Sequence, residues 1–182
     1  MLRLFVALEI PYTLRQELAA LQSGVPGARW VDPDNFHITL RFIGEIDQGQ
    51  ARDLDEMLLG LRAPAFTLQI AGVGHFGDDK PRVLYATMAP NPALDHLRRK
   101  VDSAVARAGV KLEGGKYRPH VTLARFSGRD LAGHHLAQFL ASHGLLRSEP
   151  FAVERFCLFS SLIRPDGPIY TVEADYALTA LR

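Results

Sequence analysis

Apolar and polar residues alternate most clearly in two short segments of the chain, His37-Ile38-Thr39-Leu40 and His120-Val121-Thr122-Leu123, which lie 83 positions apart. Strict alternation is typical of a β-strand with one buried face. In such a strand the His and the Thr, two residues apart, lie on one face, and the two aliphatic residues lie on the other. Each segment is therefore predicted to present one imidazole and one hydroxyl on a common surface.

The rest of the pattern predicts a mixture of helices and strands. Apolar positions at helical spacing predict helices over about 11–21, 48–61, 92–108 and 130–143. Short apolar runs predict strands over about 2–8, 36–43, 66–70, 82–86, 119–126, 151–160 and 169–178. Gly44 is expected to end the first motif strand, and the glycine-rich stretch 72–80 is expected to be a turn. The two motif strands are those that carry the His-x-Thr segments.

Motif strand, helix and following strand recur at nearly equal spacing. From His37 to Phe66 is 29 positions, and from His120 to Phe151 is 31. This predicts an internal duplication in which a pseudo-two-fold axis places the two motif strands side by side. The expected fold is α+β and bilobal, with two antiparallel sheets, helices packed outside and a central cleft that holds both motifs. Residues 1–182 are expected to form a single domain of two interleaved lobes.

Composition and charge narrow the range of functions. A chain of 182 residues, 47% apolar and 23% charged, can bury one substantial core. A net charge of +1 argues against a broad phosphate-tracking surface, so an anionic substrate must be held locally. The single Cys157 excludes a disulfide framework and is expected to be a buried hydrophobe, which fits a reducing cytoplasm. No apolar run reaches membrane-spanning length, so no membrane partner is expected.

Two histidines on neighbouring strands can supply a base and an acid, because the reference pKa of His lies near neutral pH. This pair suits in-line displacement at phosphorus: one His takes a proton from the attacking oxygen and the other donates one to the leaving oxygen. The Thr hydroxyls can donate to the non-bridging oxygens. No metal is needed. His134, His135 and His143, on a predicted helix, lack metal-site spacing, and the first two are expected to be exposed.

The two motifs in their setting, Phe36–Gly44 and Arg118–Arg125, resemble the two-histidine (2H) phosphoesterase superfamily. Within it they are most similar to the RNA 2′,3′-cyclic phosphodiesterase branch, also called 2′-5′ RNA ligase-like. The resemblance extends from the opening Arg3–Ala7 to Tyr170. It implies a bilobal fold with a central cleft. It also implies hydrolysis of a 2′,3′-cyclic phosphate on RNA or a nucleotide to a 2′-phosphate, with no metal cofactor.

The same resemblance implies roles for five residues. His37 corresponds to the proton donor to the leaving 3′ oxygen, and His120 to the proton acceptor that activates water. Thr39 and Thr122 correspond to the residues that bind the phosphate oxygens, and Arg125 to a cation that neutralises charge as the phosphorane forms.

Four other residues are assigned from their residue type and local sequence. Arg41, on the strand face of His37, and Tyr117, an aromatic group suited to stacking on a base, are candidate substrate-binding residues. Phe42 alternates with Arg41 and is expected in the core with Leu40. His75, flanked by glycines, is expected to cap a hairpin rather than border the cleft.

Two other functions stay open on the same residues. Reversal of the cyclic-phosphate reaction would make the protein a 2′-5′ RNA ligase. A non-catalytic module could instead bind an RNA terminus or a nucleotide, although binding alone would tolerate Asn or Gln at the positions of the histidines. Under all three functions the partners are RNA 3′ ends or nucleotides, and a monomer is expected.

Overall fold

The alternating segments form strands that assemble into two antiparallel sheets. The computed structural model of the protein describes residues 1–127 and 133–180. The elements in chain order are β1 (Leu2–Glu9), α1 (Tyr12–Ala19), β2 (Arg29–Trp30), a 3-10 turn (Pro33–Asn35), β3 (His37–Ile46), α2 (Gln48–Leu59), β4 (Phe66–Leu68), β5 (Ile70–Phe76), β6 (Val83–Met88), α3 (Pro92–Arg107), β7 (His120–Arg125), α4 (Gly133–His143), β8 (Phe151–Val153), β9 (Arg155–Arg164) and β10 (Gly167–Ala177). Within the described residues, no helix is long and apolar enough to cross a bilayer.

The two sheets place the motif strands next to each other. One sheet has the strand order β10-β9-β1-β3 and the other β2-β7-β6-β5, and β4 pairs with β8 in a separate two-stranded ribbon. All pairs between these strands are antiparallel. The motif strands β3 and β7 approach each other where the sheets meet. The predicted α+β fold with two antiparallel sheets is confirmed.

Equivalent elements of the two halves meet. β3 is followed by α2 and β4, and β7 is followed by α4 and β8. The strands β4 and β8, predicted at matched distances from the motifs, pair with each other, with Thr67 opposite Ala152. Such pairing is what a pseudo-two-fold axis produces. That the whole chain acts as one duplicated domain stays a prediction.

The helices begin where their capping residues predict. The side chain of Asp47 accepts a hydrogen bond from the Gln50 backbone N–H at 2.8 Å, and the Gln50 side chain accepts one from the Asp47 N–H, which forms a capping box. The Asn91 side chain accepts from the Leu94 N–H, and Pro92 occupies the first turn of α3. These caps satisfy backbone N–H groups at the starts of α2 and α3.

One main apolar cluster joins both sheets and the helices. Leu40, Leu54, Leu97, Val121 and Phe156 are each essentially fully buried in it. Burial of one such side chain contributes about 1.5–3 kcal/mol, so both motif strands are anchored by their aliphatic faces.

A smaller cluster of Phe5, Ala7, Cys157 and Phe159 lies on the other face of the first sheet, packed against Tyr170. Cys157 is fully buried there, as predicted, and burial raises the pKa of its thiol to about 12.

Gly44 does not end the first motif strand, so that prediction is wrong. β3 continues to Ile46 because Gly44 adopts a φ of +85°, which lets the strand form a bulge. In the register with β1, Leu4 faces Gly44 and Phe5 faces Phe42, so Ile43 has no partner. A second register shift follows between Val6 and Ala7.

These two shifts also reverse the expected position of Phe42. Strand alternation predicts it in the core, but the side chain is 51% exposed. Its ring lies under the guanidinium carbon of Arg3, 5.0 Å from the ring centre. A bulge interrupts the period of two on which the prediction rests.

The glycine-rich stretch 72–80 is mostly strand, which corrects the predicted turn. β5 runs to Phe76, and His75 pairs with Leu84 of β6, so His75 does not cap the hairpin. The reversal is confined to the residues between Phe76 and Val83. Of the predicted helix 130–143, the structure gives Gly133–His143, with His134 and His135 exposed as expected, and Asp130 and Leu131 lie outside the described residues.

Candidate active site

The two motif histidines begin the two adjacent strands. His37 is the first residue of β3 and His120 the first of β7. Both imidazoles and both Thr side chains are half-buried, whereas the aliphatic residues between them are almost completely buried (Ile38, Leu40, Val121 and Leu123). The predicted division of each motif into a core face and a cleft face is what the structure shows.

Each imidazole is oriented by the same backbone contact. The Nδ1 atom of His37 lies 2.7 Å from the carbonyl oxygen of Asn35, and that of His120 lies 2.7 Å from the carbonyl oxygen of Arg118. Because a carbonyl only accepts, Nδ1 carries the hydrogen in both rings. Nε2 of each neutral ring is therefore left as a proton acceptor. In His37 this atom lies 3.1 Å from the Thr39 hydroxyl.

Aromatic rings enclose His37. The centres of the Phe5, Tyr170 and Phe159 rings lie 4.9, 5.3 and 6.4 Å from the centre of the imidazole. Phe5 and Phe159 stack on each other, and Tyr170 meets Phe5 edge-on. His37 is thus the polar edge of the smaller apolar cluster, which fixes its position and removes much of its hydration.

His120 has two aromatic neighbours. The ring centres of Phe76 and Tyr85 lie 5.0 and 5.1 Å from that of His120. Gly74 makes room for Tyr85, because a Cβ atom at position 74 would lie 2.9 Å from the Tyr85 ring. The glycine therefore has a packing role in a strand, where glycine is otherwise unfavourable.

Burial and charge lower the pKa of both histidines. For each ring the largest cause is desolvation, opposed by the hydrogen bond to the backbone carbonyl. The positive charge of Arg125 lowers the pKa of both rings, and the charge of His120 lowers that of His37 further. Arg125 and His37 also line the same cavity, of about 570 Å³. Two repelling imidazoles resist holding two protons at once, which favours one acid and one base.

The cleft between the motif strands has two arms. The first arm is a cavity of about 400 Å³ whose lining includes Thr39, Arg41, Tyr117 and His120. The second arm is a cavity of about 570 Å³ whose lining includes His37, Thr122, Arg125 and Tyr170. Each arm thus contains the His of one motif and the Thr of the other. Four of the seven predicted site residues thus line the first arm and three line the second, and the contact of 3.1 Å between His37 and Thr39 links the two arms.

Similarity to known proteins agrees with this geometry. The sequence model of the family LigT-like phosphoesterase matches residues 8–85 and 88–170, and each segment holds one His-x-Thr motif. This chain belongs to that family. An RNA 2′,3′-cyclic phosphodiesterase of Aeropyrum pernix is 34% identical over 160 residues, 86% of this chain and 88% of the relative. The RNA 2′,3′-cyclic phosphodiesterase of Thermus thermophilus is 32% identical, over 97% of this chain and 90% of its own. The crystal structure of E. coli LigT complexed with 3′-AMP has a TM-score of 0.81 and 26% identity, over 98% of each chain.

In this LigT-like phosphoesterase, a network on α3 supports the first arm. Asp102 accepts hydrogen bonds from Arg41 Nε at 2.7 Å and from the terminal nitrogen of Arg41 at 2.9 Å, and it pairs with Arg98 at 2.7 Å. Arg41 also donates to the Glu113 carbonyl oxygen. The guanidinium of Arg41 is therefore held in place at the wall of the cavity.

Tyr117 connects this network to the motif strand. Its hydroxyl donates to the backbone carbonyl of Thr39 at 2.9 Å, and Arg98 lies over its ring, 4.7 Å from the centre. Burial raises the pKa of the hydroxyl, which keeps the donor proton in place. Arg98 covers one face of the Tyr117 ring. Tyr117 therefore both supports the backbone at Thr39 and lines the cavity.

Sequence reasoning missed several site residues. Asp102 and Arg98 were not identified, although their spacing of four on a predicted helix indicates an ion pair. Phe76 was included in the predicted turn, and nothing in the local sequence indicates that it contacts His120. Among the described residues, no group of three His, Cys, Asp or Glu side chains could hold a metal ion.

Proposed function

We propose that this LigT-like phosphoesterase hydrolyses terminal 2′,3′-cyclic phosphates on RNA or nucleotides to 2′-phosphates. The supporting observation is the pair of imidazoles on adjacent strands, each with Nδ1 bonded to a backbone carbonyl and Nε2 left as an acceptor. The names of the Aeropyrum pernix and Thermus thermophilus relatives state this activity. E. coli LigT binds 3′-AMP, a nucleotide phosphorylated at the ribose position that the reaction involves.

In the proposed reaction, Nε2 of His120 takes a proton from a water molecule as its oxygen attacks phosphorus. His37 donates a proton to the 3′ oxygen as the bond between phosphorus and that oxygen breaks. The electron pair of the broken bond stays on the 3′ oxygen, which becomes a hydroxyl. The phosphate stays on the 2′ oxygen, and the two histidines end with exchanged protonation states.

The phosphate would lie where the two arms join. Thr39 and Thr122 come from different motifs and flank this junction, so their hydroxyls can donate to the two non-bridging oxygens. Arg125, whose charge acts on both imidazoles, would stabilise the negative charge of the phosphorane. Arg41 and Tyr117 would border the nucleoside in the first arm.

The reaction is tested with an RNA oligonucleotide that ends in a 2′,3′-cyclic phosphate, incubated with the protein in EDTA. We expect the mass to rise by that of one water molecule, and the new phosphate to resist a phosphatase specific for 3′-phosphates. Tight binding of this RNA without conversion across pH 5 to 9 would favour the non-catalytic module. Joining of 2′,3′-cyclic phosphate and 5′-hydroxyl ends in preference to hydrolysis would favour the ligase.

We also propose that the protein acts as a monomer in the cytoplasm. The described residues of one chain supply both motifs and both arms, and the buried Cys157 is a free thiol. Size-exclusion chromatography with light scattering tests the monomer, for which the expected mass is 20.2 kDa.

A further inference from the structure

A second concave surface lies outside the cleft, between the end of α2 and the outer side of α3. This basic groove has a volume of about 640 Å³. Its lining contains the cationic side chains Arg62, Arg99, Lys100 and Arg107, together with His96 and Ser103, and none of the carboxylates in the described part of the chain. The reaction proposed above makes no use of it.

No carboxylate among the described residues forms an ion pair with a cation of the basic groove. Arg99, Lys100 and Arg107 are exposed, and within residues 1–127 and 133–180 none of them forms an ion pair. The adjacent Arg98, by contrast, pairs with Asp102. The full chain has a net charge of +1, so these four cations in one groove leave a net −3 on the remainder. A cationic surface on a nearly neutral protein indicates an anionic ligand.

Arg62 is held in position at the rim. Its guanidinium donates to the carbonyl oxygens of Leu59 and Leu61 at 2.9 and 3.1 Å. These carbonyls lie at the C-terminal end of α2, where the helix dipole favours a cation. One cation of the groove is therefore preorganised, while those on α3 are free to reach a ligand.

The basic groove and the first arm share α3. Arg98 lines the first arm, and Arg99, Ser103 and Arg107 follow each other at intervals of four along the groove side. A helix with its side chains is about 10–12 Å across, so the two sites are separated by roughly one helix width. From position 96 to position 107 the helix rises about 17 Å. A stacked strand presents a phosphate about every 3.4 Å, so this length matches roughly five phosphates.

We propose that the basic groove binds the phosphate backbone of an RNA strand whose 3′ end enters the cleft. The ligand is a short run of RNA phosphates rather than the terminal cyclic phosphate. That the 3′ end of the RNA enters the cleft rests on the proposed function. The contact between RNA phosphates and the groove does not depend on it. The groove would make affinity depend on RNA length and on salt concentration.

The test is RNA binding by a double variant with a matched control. Fluorescence anisotropy with a labelled 12-nucleotide RNA is measured between 50 and 200 mM salt for the wild type, for Arg99→Ala/Arg107→Ala, and for Arg52→Ala/Arg147→Ala. The control removes two exposed arginines that lie outside the groove. We expect the groove variant to lose affinity on the order of tenfold at 0.1 M salt, with the slope of log affinity against log salt reduced by about 1.4. The control is expected to keep most of the affinity.

Equal behaviour of the two double variants would overturn the proposal. A kinetic measurement separates it from the proposed function. With a 12-nucleotide RNA that ends in a cyclic phosphate, the groove variant should show a raised KM at unchanged kcat, and with a mononucleotide 2′,3′-cyclic phosphate it should match the wild type. An equal rise in KM on the mononucleotide would contradict RNA binding by the groove. If the wild type binds RNA through the groove but leaves the cyclic phosphate intact, the proposed function is rejected and the proposal of RNA binding by the groove stands.

Discussion

The two motif histidines share a backbone arrangement but have different surroundings. Both begin a strand, and both have Nδ1 at 2.7 Å from the carbonyl oxygen two residues earlier. His37 is packed against three aromatic rings and bonded to Thr39, whereas His120 contacts two rings. The repeated strand motif thus fixes the tautomer twice, and the non-repeated packing distinguishes the two rings.

This difference bears on where the proton lies. Desolvation lowers the pKa of both imidazoles, and the charge of His120 adds a further lowering for His37. The proposed reaction needs a proton on His37, and the negative charge of a bound phosphate would raise the lowered pKa of this ring.

Loss of either histidine gives the largest expected effect. His37→Ala and His120→Ala should each lower kcat on RNA cyclic phosphate by about 10²–10⁴-fold, the usual contribution of a general acid or base. Circular dichroism should show a retained fold, because both side chains lie at strand ends. Undiminished turnover by the double variant would exclude the two-histidine mechanism.

A substrate with a good leaving group shows which of the two histidines is the proton donor and which is the proton acceptor. A 2′,3′-cyclic phosphate with sulfur in place of the bridging 3′ oxygen loses a 3′ thiolate, which is a far better leaving group than an alkoxide and needs no proton. On this substrate the proton-donor variant should approach the wild-type rate, while the proton-acceptor variant stays slow. We expect recovery for His37→Ala. Recovery for His120→Ala instead would reverse the assignment.

Replacement of Arg125 should lower the rate and also change the pH dependence that both histidines set. Arg125→Gln is expected to lower kcat/KM by about 10²–10³-fold through loss of a charge-assisted contact to the phosphorane. Since Arg125 lowers the pKa of both histidines, its removal should also move both limbs of the pH profile of kcat/KM to higher pH. A reduced rate with unmoved limbs would place Arg125 away from the imidazoles.

The support of Thr39 predicts a smaller effect. Tyr117→Phe removes the hydrogen bond to the Thr39 carbonyl but keeps the ring under Arg98. A net contribution of about 1 kcal/mol for such a bond corresponds to roughly a fivefold change in kcat/KM. Thr13→Val, a substitution on α1 away from the cleft, serves as a control for the loss of one hydroxyl. A rate equal to that of the wild type would limit Tyr117 to a packing role.

The histidine environments also predict a small dependence of stability on pH. Because both pKa values are lowered on folding, the folded state binds fewer protons than the unfolded state, so the free energy of unfolding falls as the pH drops below about 6.5. The double variant His37→Gln/His120→Gln should lose less of that free energy between pH 7.5 and pH 5 than the wild type. Urea unfolding at the two pH values measures both losses. A greater loss in the variant would contradict the lowered pKa values.

The sequence predicts the site better than its surroundings, for physical reasons. The His and Thr of each motif follow from local alternation, and the repeat indicates that two such faces meet. Phe42 was assigned to the wrong face because bulges depend on the pairing with β1, which a period of two does not contain. The contact of Asp102 with Arg41 joins residues 61 positions apart and depends on how α3 lies across β3. The glycines around Gly74 indicate a turn when the segment is considered alone. The Tyr85 ring that requires a glycine at position 74 belongs to the next strand, so the local sequence does not contain this reason.

The composition of the two arms has a consequence for the origin of the site. Each arm takes its imidazole from one half of the chain and its Thr from the other. A half-length chain with one motif would therefore lack a complete arm and would gain one only by binding a second copy of itself. Under the predicted internal duplication, a symmetric homodimer of half-length chains is the simplest ancestor of this architecture. Fusion of its two genes would have freed the two imidazoles to diverge, one towards the acid and one towards the base.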